Sequence, residues 1–320
     1  MPSDERVTII GAGVSGLTTA VVLAEAGVRL RVLADEIPGN TSLVAGAMWG
    51  PYLVEPKHLV DKWSQRSLGI FRQLAADAGT GVRVTSGIEA SRHEDEAPDW
   101  ARSLPLFEPV AAADLPPGFR SGYRFSVPLI DMPTYLDYLL GRLAAAGVVP
   151  EQQHVTTFGS FPVGSRIINC TGMGAAALAN DPDLRPIRGQ HVVVRNPGLT
   201  DFFSEDTGLS EDLLCIYPQG GVVVLGGTAL DGVAGTAPDP EASARIIERC
   251  VSVEPRLRGA TVLEHRIGLR PTRPAVRLDI EQVGDIQVLH NYGHGGAGVT
   301  LSWGCADEIQ RIFQNGVTTH

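Results

Sequence analysis

Short apolar runs and longer amphipathic segments alternate along the 320-residue chain, with glycine-rich turns between many of them. Residues 7–10, 166–170 and 286–290 are short, largely apolar and β-branched, as is typical of strands buried on both faces of a parallel sheet. Residues 192–195 and 222–225 are similar runs separated by a loop, and they predict strands of an antiparallel sheet. Residues 123–128 are also strand-like. The pattern therefore predicts two sheets of different kinds.

Helical spacing of apolar residues marks the longer segments. Helices are predicted at residues 17–26, 57–78, 131–146, 241–251 and 300–313. The third of these begins with Asp131 and Pro133 and is followed by Gly147, which are typical start and stop residues. Acid and proline between residues 94 and 117 predict a surface loop. Residues 41–52 are small and apolar, and they predict a loop held against something flat and buried.

The first glycine cluster, GAGVSG at residues 11–16, lies between a predicted strand and a predicted helix. In the G-x-G-x-x-G pattern the first glycine permits a tight turn, the second lets the backbone approach a pyrophosphate, and the third allows close packing. The helix N-terminus presents free N–H groups to the anion. Asp35 ends the next strand, 19 positions after Gly16, where a carboxylate would accept hydrogen bonds from ribose hydroxyls. A dinucleotide site is predicted. Because no arginine neighbours Asp35, NADP is disfavoured as the cofactor, and NAD and FAD remain open.

Composition narrows the class of protein. Hydrophobic residues make up 43% of the chain and charged residues 19%, which is ordinary for a globular protein. The net charge of −10 and the absence of a basic cluster disfavour nucleic-acid binding. No apolar run approaches the roughly 18 residues of a membrane span. The four cysteines form no CxxC pair, so free thiols in a reducing cytoplasm are expected. We therefore expect a cytoplasmic protein with no membrane or nucleic-acid partner.

A second glycine-rich stretch, HNYGHGGAGVTLSWGCA, covers residues 290–306. His290 and His294 would share a metal only on a helix, and the glycines around His294 make a helix there improbable. No third ligand is obvious, so no metal is expected. The stretch instead predicts a loop whose backbone approaches a ligand closely and leads into a helix whose N-terminus faces negative charge. A reduced flavin carries such charge, and a helix N-terminus beside it would stabilise that form.

Five segments together resemble the D-amino acid oxidase family of flavoenzymes. They are GAGVSGL (11–17), MWGPY (48–52), NCTG (169–172), GLRPTRPAVRLD (268–279) and the stretch at 290–306. The resemblance implies an α/β fold with a Rossmann-like FAD-binding domain and a second α+β substrate domain on a mostly antiparallel sheet. The FAD domain would be discontinuous, at residues 1–50, 132–182 and 271–320. Residues 51–131 and 183–270 would form the substrate domain.

FAD is the cofactor that the resemblance implies, and positions from all three segments of its domain would bind it. They are Gly11, Ala12, Gly13, Val14, Ser15, Gly16, Asp35, Thr41, Ser42, Ala47, Met48, Gly172, Met173, Gly293, Gly295, Gly296, Gly298, Val299 and Thr300. Met48 and Tyr52 match flavin-facing or substrate-pocket positions, and Ala297 replaces a frequently bulkier residue.

The implied reaction is oxidative deamination of a D-amino acid. Arg270 matches the family's carboxylate anchor, a role that suits a planar guanidinium. Gly296 matches a glycine whose carbonyl accepts a hydrogen bond from the substrate amine. Cys215 stands where the family often has tyrosine, and Tyr217 lies on the same strand face two positions on. Hydride would pass from Cα to flavin N5 without a side-chain base. Oxygen would reoxidise the flavin, giving hydrogen peroxide, a 2-oxo acid and ammonia.

Neutral, mainly apolar D-amino acids are the expected substrates. D-aspartate oxidases hold the second carboxylate with an arginine before the tyrosine strand, whereas residues 201–206 here contain three acids and no basic residue. Phe202 and Phe203 in this stretch would offer apolar surface or belong to the core. D-aspartate oxidase and glycine or sarcosine oxidase remain alternatives, as do an NAD-dependent dehydrogenase and a non-enzymatic flavin protein. Sequence leaves the oligomeric state open, a symmetric homodimer being the commonest assembly.

Overall fold

A computed structural model describes residues 6–51, 54–205 and 212–315. The strands are β1 (Val7–Ile10), β2 (Leu30–Ala34), β3 (Val82–Ser91), β4 (Glu108–Pro109), β5 (Ser121–Ile130), β6 (Glu151–Gln152), β7 (Arg166–Asn169), β8 (Arg185–Arg195), β9 (Phe202–Glu205), β10 (Asp212–Gln219), β11 (Val222–Thr228), β12 (Leu230–Asp231), β13 (Val262–Arg277), β14 (Ile280–Val283), β15 (Ile286–His290) and β16 (Tyr292–His294). The α-helices are α1 (Val14–Glu25), α2 (Asn40–Leu43), α3 (Lys57–Leu74), α4 (Asp99–Arg102), α5 (Met132–Ala145), α6 (Ala175–Leu178), α7 (Pro240–Val253) and α8 (Gly298–Asn315).

The first sheet has the strand order β14-β15-β7-β1-β2-β6. All of its pairs are parallel except β14–β15. Its central strands come from the beginning, the middle and the end of the chain, and the apolar runs at residues 7–10, 166–170 and 286–290 supply them. Because parallel strands are covered on both faces, these runs are largely apolar. The Rossmann-like part of the predicted fold is confirmed.

The second sheet runs in the order β16-β13-β8-β11-β10-β9-β3-β5-β4, with β12 paired to β8. Its pairs are antiparallel except for β3–β9, which is parallel. The runs at residues 192–195 and 222–225 lie side by side as parts of β8 and β11. The predicted combination of a parallel sheet and a mostly antiparallel one is therefore confirmed.

Helices α1, α3, α5 and α8 pack together against the first sheet and the edge of the second. Gly304, the last glycine of the stretch at 290–306, lies within α8 against α3. A Cβ at this position would lie 2.3 Å from the Cα and carbonyl oxygen of Trp63. The glycine therefore allows two helix backbones to touch and is not part of a flexible linker.

Several local expectations were wrong. Residues 94–117 are not a plain loop, since they contain α4 and β4, and the segment at 41–52 begins inside α2. The pattern gave no strand at β3 or β13. β3 shows no regular alternation of buried and exposed positions and contains Gly87, and β13 contains Pro271 and Pro274. Proline removes a ladder donor, and the pairing of β13 is irregular between Thr272 and Arg277, where Pro274 lies. Across the described ranges, every helix is too short or too polar to cross a membrane.

Candidate active site

A cavity of about 1360 Å³ lies between the two sheets. Its walls come from the turns after β1, β2 and β7, the segment from residue 39 to 51, the faces of β8, β10 and β13, and the start of α8. Ordinary small-molecule pockets enclose about 300–1,000 Å³. The cavity is thus large enough for an extended cofactor together with a small substrate.

The glycine turn at residues 11–16 forms one end of this cavity. Gly11 has a φ of +112°, and a Cβ there would lie 2.3 Å from the carbonyl oxygen of Cys170. A Cβ on Gly16 would lie 2.0 Å from the Gly11 oxygen, so this glycine serves packing, not ligand contact. Gly13 lines the cavity, and next to it the Val14 N–H donates to Ser42 Oγ at 2.9 Å. The turn thus brings bare backbone and the N-terminus of α1 to the cavity, as a pyrophosphate site requires.

Asp35 follows β2 at the same end of the cavity. Its carboxylate contacts the ring of His154, with 2.7 Å between Oδ1 and Nδ1, and both side chains are exposed. A carboxylate beyond the second strand of such a sheet is positioned to accept hydrogen bonds from ribose hydroxyls. The glycine turn, the start of α1 and Asp35 together fit a dinucleotide.

The glycine-rich stretch near the C-terminus forms the opposite side of the cavity. Gly295 and Gly296 lie on the wall, Gly295 with a φ of +54°, and α8 begins at Gly298 beside them. The two histidines of this stretch are buried and bonded to protein groups, and His294 also borders the cavity. His290 contacts Glu281 Oε2 at 2.9 Å and Asn169 Nδ2 at 3.2 Å, while His294 contacts Asn291 Oδ1 at 3.1 Å.

Burial lowers the pKa of both histidines, to about 4 for His294, and for His290 the positive charge of Arg277 adds to the effect. Within residues 6–51, 54–205 and 212–315, there is no group of three or more His, Cys, Asp or Glu side chains arranged for a metal ion. These rings therefore support the loop structure around the cavity.

Arg270 reaches the cavity from β13. Its Nη1 donates to the carbonyl oxygen of Thr228 at 3.0 Å. The guanidinium lies over Gly189 of β8, where an added Cβ would be 2.7 Å from Nη1. A side chain at residue 189 would meet the guanidinium, so Gly189 leaves the space that the guanidinium occupies. The arrangement holds a permanent positive charge at the cavity wall.

The other three arginines near Arg270 in the sequence are all held in ion pairs. Arg266 Nε is 2.9 Å from Glu264 Oε2, and Arg277 binds Asp279 and Glu281. Arg273 lies on the cavity wall, and its guanidinium pairs with the buried Asp181 at 2.8 Å and with Asp183 at 3.3 Å.

A row of side chains crosses the second sheet on the side of the cavity. Cys215 on β10 pairs with Gly226 on β11, which pairs with His191 on β8. Tyr217, two residues after Cys215, lies on the same face, and its ring approaches Gly46. Cys215, Tyr217 and His191 all line the cavity. Burial and the positive charge of Arg270 lower the pKa of His191 to about 4, so the imidazole is neutral near pH 7.

The structure brings most of the predicted site residues to the cavity. They are Gly11, Ala12, Gly13, Val14, Ser15, Asp35, Thr41, Ser42, Ala47, Met48, Gly172, Met173, Cys215, Tyr217, Arg270, Gly295, Gly296, Gly298 and Val299. Gly16, Gly293 and Thr300 lie behind the wall. Gly293 packs against the side chain of Arg273, and the Thr300 hydroxyl bonds to the backbone of Gly50. Tyr52 lies outside the described residues.

The wall also contains residues that the sequence predictions did not include, among them His191, Glu89 and Trp100. His191 immediately precedes the run that predicted a strand at 192–195, and Glu89 lies on the unpredicted strand β3. Trp100 belongs to the segment predicted as surface loop. Strand alternation would have placed His191 on one face of its sheet, but no local signal indicates which face meets the cavity.

A mostly parallel sheet with a glycine turn suited to a dinucleotide is joined to a mostly antiparallel sheet across a shared cavity, an arrangement that fits a dinucleotide-dependent enzyme. The family model described as FAD dependent oxidoreductase matches residues 6–312, nearly the whole chain. The chain belongs to this family, whose cofactor is FAD.

Two curated relatives named D-amino-acid oxidase are similar over almost their full length. The protein from Rubrobacter xylanophilus is 47% identical over 311 residues, covering 96% of this chain and 95% of the relative. The protein from Streptomyces coelicolor is 45% identical over 315 residues, covering 97% of each. A D-aspartate oxidase from Homo sapiens is 34% identical over 329 residues, covering 98% of this chain and 95% of the relative. Among solved structures, glycine oxidase from Geobacillus kaustophilus superposes with a TM-score of 0.80 at 18% identity, covering 98% of this chain and 95% of that one, which reflects the fold alone.

Proposed function

We propose that the protein is an FAD-dependent D-amino acid oxidase, which converts neutral D-amino acids to 2-oxo acids, ammonia and hydrogen peroxide. The observation that carries the proposal is the Arg270 guanidinium, held over Gly189 at the wall of a cavity that also contains the nucleotide-binding turn. The names of the two bacterial relatives give independent support. FAD bound in the cavity would supply the oxidising power that no side chain provides.

Residues of the first sheet and its loops are proposed to hold FAD. The turn at residues 11–16 and the N-terminus of α1 would bind the pyrophosphate, and Asp35 the ribose. The remaining predicted positions on the cavity wall would surround the rest of the cofactor. Gly16, Gly293 and Thr300 would act indirectly, by supporting the backbone that carries these contacts.

Substrate binding is assigned to the second sheet. Arg270 would bind the α-carboxylate through two parallel hydrogen bonds and so fix its orientation. The Gly296 carbonyl would accept a hydrogen bond from the amine, while Tyr217, Cys215 and Met48 shape the pocket. Orientation of this kind can contribute about 7–11 kcal/mol to catalysis. The proposed reaction requires no side-chain base, and the neutral His191 beside Arg270 is not proposed as one.

Segments 1–50, 132–182 and 271–320 are proposed as the cofactor domain, and segments 51–131 and 183–270 as the substrate domain. The distribution of strands between the two sheets supports this division, although β13 crosses the boundary at residue 270 and β16, within segment 271–320, pairs with the second sheet. A cytoplasmic location and a homodimer are further proposals. The four buried free cysteines suit a reducing compartment, and light scattering of the purified protein would test the dimer.

The test of the proposed function is a peroxide assay on purified protein with added FAD and a panel of D- and L-amino acids. Neutral D-amino acids such as D-methionine should give peroxide, with little or none from the L-enantiomers or D-aspartate. A preference for D-aspartate would favour the alternative D-aspartate oxidase, and a preference for glycine or sarcosine would favour the amine oxidase. Absence of flavin in the protein would contradict the proposal outright.

A further inference from the structure

A buried carboxylate, that of Asp181, lies behind the cavity wall just after α6. The Tyr292 hydroxyl donates to its Oδ2 at 2.6 Å, and Arg273 Nε lies 2.8 Å from the same oxygen. The backbone N–H of Asp183 donates to Oδ1 at 3.1 Å. Arg277 Nη1 donates to the Tyr292 hydroxyl at 2.9 Å and lies 3.9 Å from Asp181 Oδ2. Both oxygens of the carboxylate are therefore held by protein groups.

Hydrogen bonding runs in one direction through this cluster. Because Arg277 donates to the phenol oxygen of Tyr292, the phenol proton is directed to Asp181. Burial and the bond to Asp181 raise the pKa of Tyr292 to about 12, so the phenol keeps its proton at neutral pH. Burial opposes ionisation of Asp181, but the hydrogen bonds that it accepts and the charges of the two arginines hold the pKa of its carboxyl below the ordinary value. The Tyr292–Asp181 bond is thus charge-assisted, which makes it stronger than a neutral one.

Three segments of the cavity wall meet at this cluster. Residues 172–174 line the cavity after β7 and lead through α6 to Asp181. Residues 271–274 line it from β13. Tyr292 lies on β16, and residues 294–296 after it line the cavity and lead into α8. The cluster therefore joins separate parts of the wall that are predicted to bind FAD.

The backbone ladder between β13 and β16 is irregular where the cluster lies. The register shifts between Thr272 and Arg277 of β13. Gly293 of β16 faces this stretch, and an added Cβ there would lie 2.8 Å from Cδ of Arg273, so the stem of the arginine fills the gap. At such an irregularity the ladder is locally disrupted and fixes the strands less well. The contacts of Asp181 link the two strands through side chains instead.

We propose that Asp181 is a positioning residue for the cofactor, which acts through the Tyr292 hydroxyl to hold residues 172–174 and 294–296 in the arrangement that binds FAD. The inference rests on the FAD contacts proposed above for these two segments. Asp181 lies behind the wall and is not proposed to touch FAD. Because residues 294–296 lead into α8, the same link orients the N-terminus of that helix, which favours nearby negative charge such as that of a reduced flavin.

Titration of the apoprotein with FAD tests this role without turnover. Tyr292→Phe keeps the ring and every charge of the cluster but removes the hydrogen bond to Asp181. It should raise the Kd of FAD by about tenfold or more, since a charge-assisted bond is lost. The midpoint potential of the bound flavin should become more negative, because a less well oriented α8 stabilises the reduced form less.

Asp181→Asn tests whether Asp181 and Tyr292 act as one unit. The amide can still accept a hydrogen bond from Tyr292, but the negative charge is lost, so this variant should also bind FAD more weakly. In the double variant the loss of affinity should be smaller than the product of the two single losses, because both changes weaken the same link. Losses that multiply would show that Tyr292 acts independently of Asp181, contrary to the proposal.

Tyr135→Phe and Asp183→Asn are the matched controls. Tyr135 is a fully buried phenol that accepts a hydrogen bond from Trp303 in the core around α5. Tyr135→Phe should lower the melting temperature but leave the Kd of FAD unchanged. Asp183 has an exposed carboxylate that contacts the same Arg273 at 3.3 Å. Asp183→Asn should change neither the Kd nor the midpoint potential, since exposed ion pairs contribute little.

Equal losses of FAD affinity in Tyr292→Phe and Tyr135→Phe would attribute the effect to general loss of stability and overturn the proposal. An unchanged Kd or an unchanged midpoint potential in Tyr292→Phe would overturn it as well. If Asp181→Asn fails to fold, the comparison of the two tyrosine variants still decides. Wild-type protein that binds no FAD would instead contradict the cofactor contacts on which the proposal rests.

Discussion

Two charged side chains on the cavity wall are central to the proposed function at the residue scale. Asp35 lies beside the glycine turn, and Arg270 reaches the cavity from β13. The Arg270 guanidinium occupies space that Gly189 leaves free and donates to the Thr228 carbonyl oxygen. Each side chain can be tested by a substitution whose effect differs from simple loss of stability.

Replacing Asp35 by alanine should weaken FAD binding by about 1.5–3 kcal/mol, because charge-assisted hydrogen bonds to the ribose are lost. The relative kcat/KM values of different D-amino acids should not change. Titration of the apoprotein with FAD gives the dissociation constant. Glu36→Ala is the control, since it removes the same charge from the next residue, whose carboxylate contacts the Asn40 backbone. An equal loss in both variants would show that general charge, not a ribose contact, is responsible.

Replacing Arg270 by leucine should reduce kcat/KM for D-methionine by about 10²–10³ or more, since truncating one partner of a buried charge pair costs roughly 2–5 kcal/mol. FAD should remain bound, as its flavin absorbance will show. Arg277→Leu is the control, because it removes a nearby arginine whose guanidinium is paired with Asp279 and Glu281. Near-normal kinetics of Arg270→Leu would assign the carboxylate to another arginine.

His294 should make the folded state sensitive to acid. Burial lowers its pKa to about 4 from an ordinary value of 6.5. Between these values the unfolded chain binds a proton that the folded protein does not, so stability is lost as the pH falls, by up to about 1.4 kcal/mol per pH unit. Melting temperatures across this window should fall less steeply for His294→Gln than for wild type. His58→Gln, at the exposed start of α3, should behave as wild type, and parallel curves for all three proteins would refute the assignment.

At the scale of elements, the contact between α3 and α8 depends on one glycine. Gly304→Ala would place a Cβ 2.3 Å from the Trp63 backbone and push the helices apart. Overpacking of this kind costs about 1–3 kcal/mol, which should appear as a lower denaturant midpoint. The exposed Gly69 of α3 is the matched control, because nothing lies within 4 Å of its added Cβ. Gly69→Ala should stabilise by about 0.5–1 kcal/mol, and a neutral result for Gly304→Ala would mean that the helices can separate freely.

The individual elements also show which features of the site could be predicted from the sequence. The turn at residues 11–16 could be predicted because its strand, glycines and helix are consecutive. The common face of Cys215 and Tyr217 could be predicted because strand alternation is local. Glu89 could not, since it meets Cys215 only through the pairing of β3, β9 and β10, which join distant parts of the chain.

The surroundings of the acids in residues 201–206 likewise depend on contacts with distant parts of the chain. Asp201 pairs with Arg124 and Glu205 with Arg92, while Phe202 and Phe203 are buried in two separate cores. Asp206 lies outside the described residues. The burial of Phe202 and Phe203 fits the expectation that they belong to the core better than the expectation that they form an apolar pocket surface.

At the scale of the whole molecule, the chain crosses repeatedly between two sheets, and the cavity forms where they meet. The first sheet contributes the nucleotide-binding turn, and the second contributes Arg270 and the pocket wall. Neither sheet alone holds both parts. The central claim is therefore that cofactor and D-amino acid occupy one cavity and react directly.

Anaerobic mixing of the FAD-loaded protein with D- and L-methionine tests this claim most directly. D-methionine should bleach the yellow flavin absorbance, which should return on admission of air together with an equivalent amount of hydrogen peroxide. L-methionine should leave the absorbance unchanged, and Arg270→Leu should slow the bleaching by D-methionine. Flavin that is bound but stays oxidised with every D-amino acid, or that is bleached by L-methionine as fast as by its enantiomer, would contradict the account.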